Sequence, residues 1–252
     1  MSALTTFPTA AGSTATTAAT APATASPDTL VLAAMDWDRL GGTFTQAIYD
    51  TLTMVLATLV IGGLLGLVFG MLLYTTRPGG VLSNKPIYWV INFLVNFVRP
   101  IPFIILLTAI GPLSDALVGS RIGLKAAVLG MVIAATFGAA RIVEQNLVTI
   151  DPGVIEAAKS MGASPLRIIF TVIIPEALGP LILGFTFMFI AIVDMSAMAG
   201  YIGAGGLGDF AIVYGYRAFN DEVTWITVLV IIVIVQAAQL FGNWLAKKVM
   251  RR

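Results

Sequence analysis

Few side chains in this sequence are equipped for covalent chemistry. The chain has 252 residues and contains neither cysteine nor histidine. That removes thiolate nucleophiles, disulfides, thiolate and imidazole metal sites, Ser-His-Asp catalysis and the usual pH switch. No Gly-Lys pair occurs, so there is no P-loop to hold a nucleotide phosphate. Gly203, Gly205 and Gly208 spell G-x-G-x-x-G, but that pattern binds dinucleotides only between the strand and helix of a βαβ unit. Here it falls between two apolar segments, where a plain tight loop is the simpler reading. The expectation is a protein that is not an enzyme and has no cofactor and no metal.

Two ionisable residues stand in unusual places. Arg99 and Asp194 both interrupt long apolar runs, where a charge costs roughly 2.5–3.5 kcal/mol on insertion scales and normally faces a bundle interior or a cavity. Two readings stand. Either they pair with each other or with carbonyls freed by Pro100 and Pro102, or one of them contacts a zwitterionic substrate.

The elements that position them are set by composition. Hydrophobic residues make up 58% and charged residues 11%, against roughly 45–50% and 25% in soluble domains. Mean hydropathy is +0.95. Such a chain cannot cover a water-facing surface, so its solvent is the lipid bilayer. A net charge of +1 offers nothing to nucleic acid. The fold class expected is all-α and polytopic, with about five transmembrane helices. Thr51–Thr76 and Val223–Ala246 are free of charge and long enough to cross. Pro86–Pro112, Ala126–Ala140 and Ala177–Val193, the last continuing towards Met198, supply the others. Gly62, Gly66 and Gly70 form small-xxx-small pairs that allow close helix packing.

Residues 1–43 are expected to be a separate, disordered Ala/Thr/Pro-rich tail and lead-in, with Trp37 as an interfacial anchor type. Residues 44–252 are then the membrane domain. The C-terminal Lys247, Lys248, Arg251 and Arg252 favour a cytoplasmic C-terminus. An odd number of spans leaves the N-terminus outside. Arg77 and Lys85 then fall in the first cytoplasmic loop, and Arg141, Lys159 and Arg167 in the second. Arg121, Lys125 and Arg217 run against the rule.

The one sustained polar stretch, Arg141 to Glu176, reads as two short helices. Asp151 is an N-cap with Pro152 at the first helical position. Val154, Ile155, Ala158 and Met161 follow at helical spacing on one face, and Gly162 is placed to end the helix in the left-handed region. Ser164-Pro165 repeats the start signal. The stretch is either a surface helix-turn-helix connecting two spans or a docking element, since Ala157, Ala158 and Gly162 let a partner approach closely.

The run EAAKSMGASPLRIIFTVIIPEAL resembles the EAA signature of the membrane subunits of type I ABC importers, here Glu156, Ala157, Ala158, Gly162, Ile174 and Pro175. LLYTTRPG, VRPIPFIILL, ARIVEQNL, SAMAG and GAGGLGD extend the resemblance to the methionine permease branch over roughly Phe44 to Arg252. The resemblance implies a cytoplasmic coupling-helix loop at Glu156, Ala157, Ala158 and Gly162. It implies a translocation pathway for methionine or a related small amino acid. In that pathway the SAM stretch, with Ser196 and Met198, lines a narrow gate. Met198 is otherwise an ordinary packing residue; as a gate, its flexible thioether closes a small hole and moves aside cheaply. Asp194 departs from the small residue that the branch favours, which leaves the substrate open.

The implied partners are a second copy of the chain, two cytosolic ATPase subunits and an external substrate-binding lipoprotein. Gly203, Gly205, Gly206 and Gly208 would then form an external loop, beneath the binding protein or at the pore rim. The rivals are a permease for another small solute, such as an osmoprotectant or phosphonate, and an ion-coupled secondary transporter using Arg99 and Asp194.

Overall fold

A computed structural model describes residues 37–250, with side chains described from Leu40 onward. Expectations placed on the tail up to Asp36, on the Trp37 side chain, and on Arg251 and Arg252 lie outside them. By internal contacts the chain divides into Met1–Leu40 and Gly41–Arg252. Of the first unit only the helical residues Trp37–Leu40 are described. All other described residues belong to the second.

Among the described residues every regular element is helical. Four helical segments among these residues are long and apolar enough to cross a membrane. They are Leu40–Thr76 within α1 (Trp37–Thr76), α5 (Leu124–Val148), the composite segment Pro165–Ala204, and α10 (Asp221–Met250). Between the first two lie α2 (Lys85–Val98) and α3 (Phe103–Ala109), which together pass the same test but are bent by 104°. Pro100 and Pro102 stand at that break. A proline removes a backbone donor and clashes with the preceding turn, so the helix stops and restarts in a new direction. The expected span Pro86–Pro112 is therefore not one helix but a sharply bent pair, and α4 (Gly111–Val118) follows it as a short separate helix.

Pro165–Ala204 is longer than the sequence suggests. Ser164 caps α7 (Pro165–Ile168), its hydroxyl accepting from Arg167 N–H at 3.4 Å. The chain then passes through a π-helical stretch, Ile169–Ile173, straight into α8 (Ile174–Ala199). The second of the two short helices expected between Arg141 and Glu176 is thus the first turn of a span. Arg141 is likewise inside α5, not in the loop. Only residues 149–164 connect, and α6 (Pro152–Ser160) is their one helix.

Close packing replaces the hydrophobic effect as the glue between helices that already lie in lipid. Gly62, Gly66 and Gly70 face α5: an added methyl at Gly62 would lie 3.0 Å from Ala135 Cβ, and one at Gly66 or Gly70 would overlap Ala139 or Val143. The first core region gathers Met54, Met131, Met188 and Ile192. A second gathers Tyr74, Leu147, Ile168 and Ile173 around α6.

Candidate functional site

The coupling-loop residues sit on a helix whose ends are well specified. Gly153 N–H donates to the Asp151 carboxylate at 2.8 Å, closing the N-terminus, and Pro152 occupies the first position. At the other end Gly162 has φ +76°, left-handed backbone that L side chains adopt at a cost. Gly162 N–H donates to the Lys159 carbonyl at 2.9 Å, and Ala163 N–H to Ala158 at 3.1 Å.

The two faces of α6 differ from the expectation. Ile155 and Ala158 are buried in the chain's own core, while Val154 and Met161 are turned out, Met161 with 81% of its surface exposed. Ala158 is therefore a seat for α6 on its own subunit and not a contact for anything outside. Glu156 and Ala157 are exposed with Val154 and Met161. Behind the helix, the Arg77 guanidinium lies 4.3 Å from the centre of the Tyr74 ring. Both border a cleft that Pro152, Glu156 and Lys159 close from the α6 side.

The pathway residues divide. Asp194 and Met198 are both exposed and share a face of α8 with Glu176, Leu183 and Phe187, the spacing of one helical stripe. Ser196 points inward, 3% exposed, its hydroxyl donating to the Val193 carbonyl at 2.7 Å. It serves the helix and contributes no polar atom to the open face. Arg99 caps α2 and is exposed. The described ion pairs are Arg121–Asp115 and Arg141–Glu144, so the pairing of Arg99 with Asp194 is not formed.

The glycine-rich segment is a folded element and not an open loop. Gly203, Gly205 and Gly206 have φ +90°, +81° and +81°, which turns the chain back so that α9 (Gly206–Phe210) packs on the end of α8. At Gly208 an added methyl would overlap the backbone of Ala197, and at Gly200 that of Asp209. The turn is tied to the first span: Leu207 N–H donates to the Thr51 hydroxyl at 2.8 Å. Beside it lies a hollow bordered by Asp50, Asp209 and Tyr214.

Sequence reasoning missed two features. Thr51 gave no sign of its long-range bond, since a threonine in a helix ordinarily bonds its own preceding turn. A polar chain also crosses from α5 to α2: Arg141 bonds Glu144 and donates to Asn96 at 2.7 Å, and Asn96 donates to Asn92 at 2.9 Å. Its signal was present in the four-residue spacing of the two asparagines.

Residues 62–251, covering most of this membrane portion, match the family described as binding-protein-dependent transport system inner membrane component. The chain belongs to that family. As a family member it is similar to the probable D-methionine transport system permease protein MetI of Vibrio cholerae, 40% identical over 82% of this chain and 92% of that protein. It is 41% identical to the methionine import system permease protein MetP of Bacillus subtilis, over 82% of this chain and 93% of that one. Among solved structures, a chain of the MetNI methionine ABC transporter in an inward-facing conformation superposes with a TM-score of 0.81. It shares 37% identity, over 84% of this chain and 98% of that one. The expected all-α permease fold and family therefore stand.

Proposed function

We propose that this chain is the pathway subunit of an ATP-driven importer of methionine or a related small amino acid. Two copies enclose the pathway, two cytosolic ATPase subunits dock on the Asp151–Gly162 region, and an external lipoprotein delivers substrate at the opposite face. The N-terminus is outside, the C-terminus cytoplasmic, and residues 44–252 form the working domain. The reading draws on the methionine permeases and the MetNI transporter to which the chain is similar.

The observation that carries it is α6. A helix buried by Ile155 and Ala158 yet exposing Val154, Glu156, Ala157 and Met161 is fixed to its own subunit and free on the other side. An engine can do work on a membrane subunit only through an element whose contacts differ between two states. A rigid knob transmits such a difference, and a slack loop absorbs it. Glu156 supplies a charge-assisted anchor, Ala157 lets the partner come close, and Gly162 makes the sharp exit.

Along α8, Asp194 and Met198 face the pathway, with Met198 closing it and Asp194 meeting the substrate's ammonium. Arg99, at the break of the second span, supplies the opposite charge. The glycines at 203, 205, 206 and 208 build the external rim on which the binding protein rests. The test is co-purification: the ATPase is expected to come down with the wild-type chain, and not with a chain in which Val154 and Met161 are both changed to Asp. Equal recovery of the ATPase with both chains sinks the docking assignment.

A further inference from the structure

An apolar groove on the flank of α8 is distinct from the coupling helix, the pathway stripe and the glycine-rich turn. Its floor is α8 from Leu178 to Phe189, and its walls are stretches of α1 and α10 that include Leu67 and Leu245. The single hydroxyl there, that of Thr186, donates to the Ile182 carbonyl at 2.8 Å, so the lining offers carbon alone. At about 100° per residue the floor lies roughly 170° round the helix from the stripe of Asp194 and Met198. Resting on the proposed function, in which that stripe faces the second copy, the groove is turned away from it and into the bilayer.

Its length suits one occupant. From Leu178 to Phe189 the helix rises about 16 Å, and one leaflet of a bilayer's hydrocarbon core is about 15 Å deep. One turn beyond Leu245 the surface changes character. The Trp244 ring lies 6.0 Å from that of Phe241, which itself lines the groove, and Lys248 Nζ stands 5.1 Å from the centre of the Trp244 ring. Lys248 is exposed, and no carboxylate among the described residues pairs with it. The acid at this end of α8, Glu176, borders a neighbouring hollow with Val249 and Met250, not the groove. An aromatic edge running from hydrocarbon to an unpaired ammonium group is the chemistry of the membrane interface.

We propose that the groove between α1, α8 and α10 holds an acyl chain of an anionic glycerophospholipid, with the lipid phosphate on Lys248. The test uses the purified full chain in detergent. Bound lipid is counted by native mass spectrometry after addition of dioleoyl phosphatidylglycerol, dioleoyl phosphatidylcholine or water-soluble glycerol 3-phosphate. The expected result is retention of phosphatidylglycerol, about fivefold weaker retention of phosphatidylcholine, and none of glycerol 3-phosphate. Changing Lys248→Gln is expected to weaken phosphatidylglycerol binding about fivefold and erase the preference. Ala238→Phe, which fills the groove, weakens both lipids.

Equal binding of the two lipids with no effect of Lys248→Gln overturns the proposal. So does glycerol 3-phosphate binding as tightly as the lipid. Ala238→Phe breaking self-association while sparing lipid retention would assign the groove to a second copy and also overturn it. Met198→Ala separates this site from the pathway: it is expected to alter leak and leave lipid retention at the wild-type value.

Discussion

Glu156 and Ala158, two residues apart on α6, point to opposite sides of the helix: Glu156 is exposed, while Ala158 is 4% exposed and packs in a core with Leu147 and Ile168. A step of two residues turns an α-helix by about 200°, so no partner seated on Glu156 also touches Ala158. The small residues of the EAA run therefore have different duties. Ala158 seats the helix, and in the proposed function Ala157 is the one that receives the partner.

Enlarging each alanine separates those duties. Ala158→Leu adds bulk to a packed core and is expected to cost about 1–3 kcal/mol, lowering the melting temperature of the subunit in detergent. Ala157→Leu touches only the outer face, where substitutions stay within about 0.5 kcal/mol. It is expected to leave the melting temperature unchanged and to weaken ATPase co-purification by about tenfold. A fall in melting temperature with Ala157→Leu, and none with Ala158→Leu, would reverse the assignment.

The exit from α6 depends on Gly162 at φ +76°, where an added Cβ meets no neighbouring atom but the backbone conformation itself is strained. Gly162→Val is expected to cost roughly 1–2 kcal/mol and to weaken substrate-stimulated ATP hydrolysis. Gly162→Asn is expected to recover much of both, because asparagine visits this region more readily. Equal hydrolysis by the two variants would separate coupling from backbone geometry.

The bond from Leu207 N–H to the Thr51 hydroxyl is buried. Thr51→Val keeps the shape but strands that N–H, at a cost of about 1–3 kcal/mol. Thr51→Ser keeps the bond. Thermal unfolding in detergent is expected to rank wild type and Ser together, with Val below. Hydrogen exchange at the Leu207 amide should rise only in the Val variant.

On the exposed stripe of α8, Met198→Ala removes the flexible side chain taken to close the pathway. Raised leak, or raised ATP turnover without substrate, is the expected outcome in the reconstituted complex. Asp194→Asn is expected to change uptake or substrate preference while the complex assembles. Wild-type leak in the first and wild-type uptake in the second would remove these residues from the pathway.

Sequence reasoning reached the elements that local chemistry decides. Asp151 and Pro152 start α6 and Gly162 ends it, because capping and left-handed backbone are properties of a few adjacent residues. The charge-free runs located the spans for a similar reason. Tertiary placement was out of reach. Periodicity put Val154 and Met161 on the same face as Ile155 and Ala158, since all four are apolar, yet only the latter two meet the core. Arg141 read as a loop residue because a charge ordinarily ends a span, and its partners Glu144 and Asn96 were invisible until α2 and α5 lay side by side. Ser164-Pro165 signalled a helix start correctly, but nothing local said that the helix would continue through a π-helical stretch into a span. The glycines at 203, 205 and 206 announced a turn, and only the fold revealed that it packs back on Ala197.

The proposed function is ATP-driven movement of a small amino acid through a pathway built by this chain. Its most direct measurement is accumulation of radiolabelled methionine in proteoliposomes holding the chain, its ATPase and its binding protein, with and without ATP and across imposed sodium and proton gradients. Accumulation is expected to require ATP, to ignore both gradients and to be lost with Ala157→Leu. Accumulation driven by either gradient with no ATP present would contradict it.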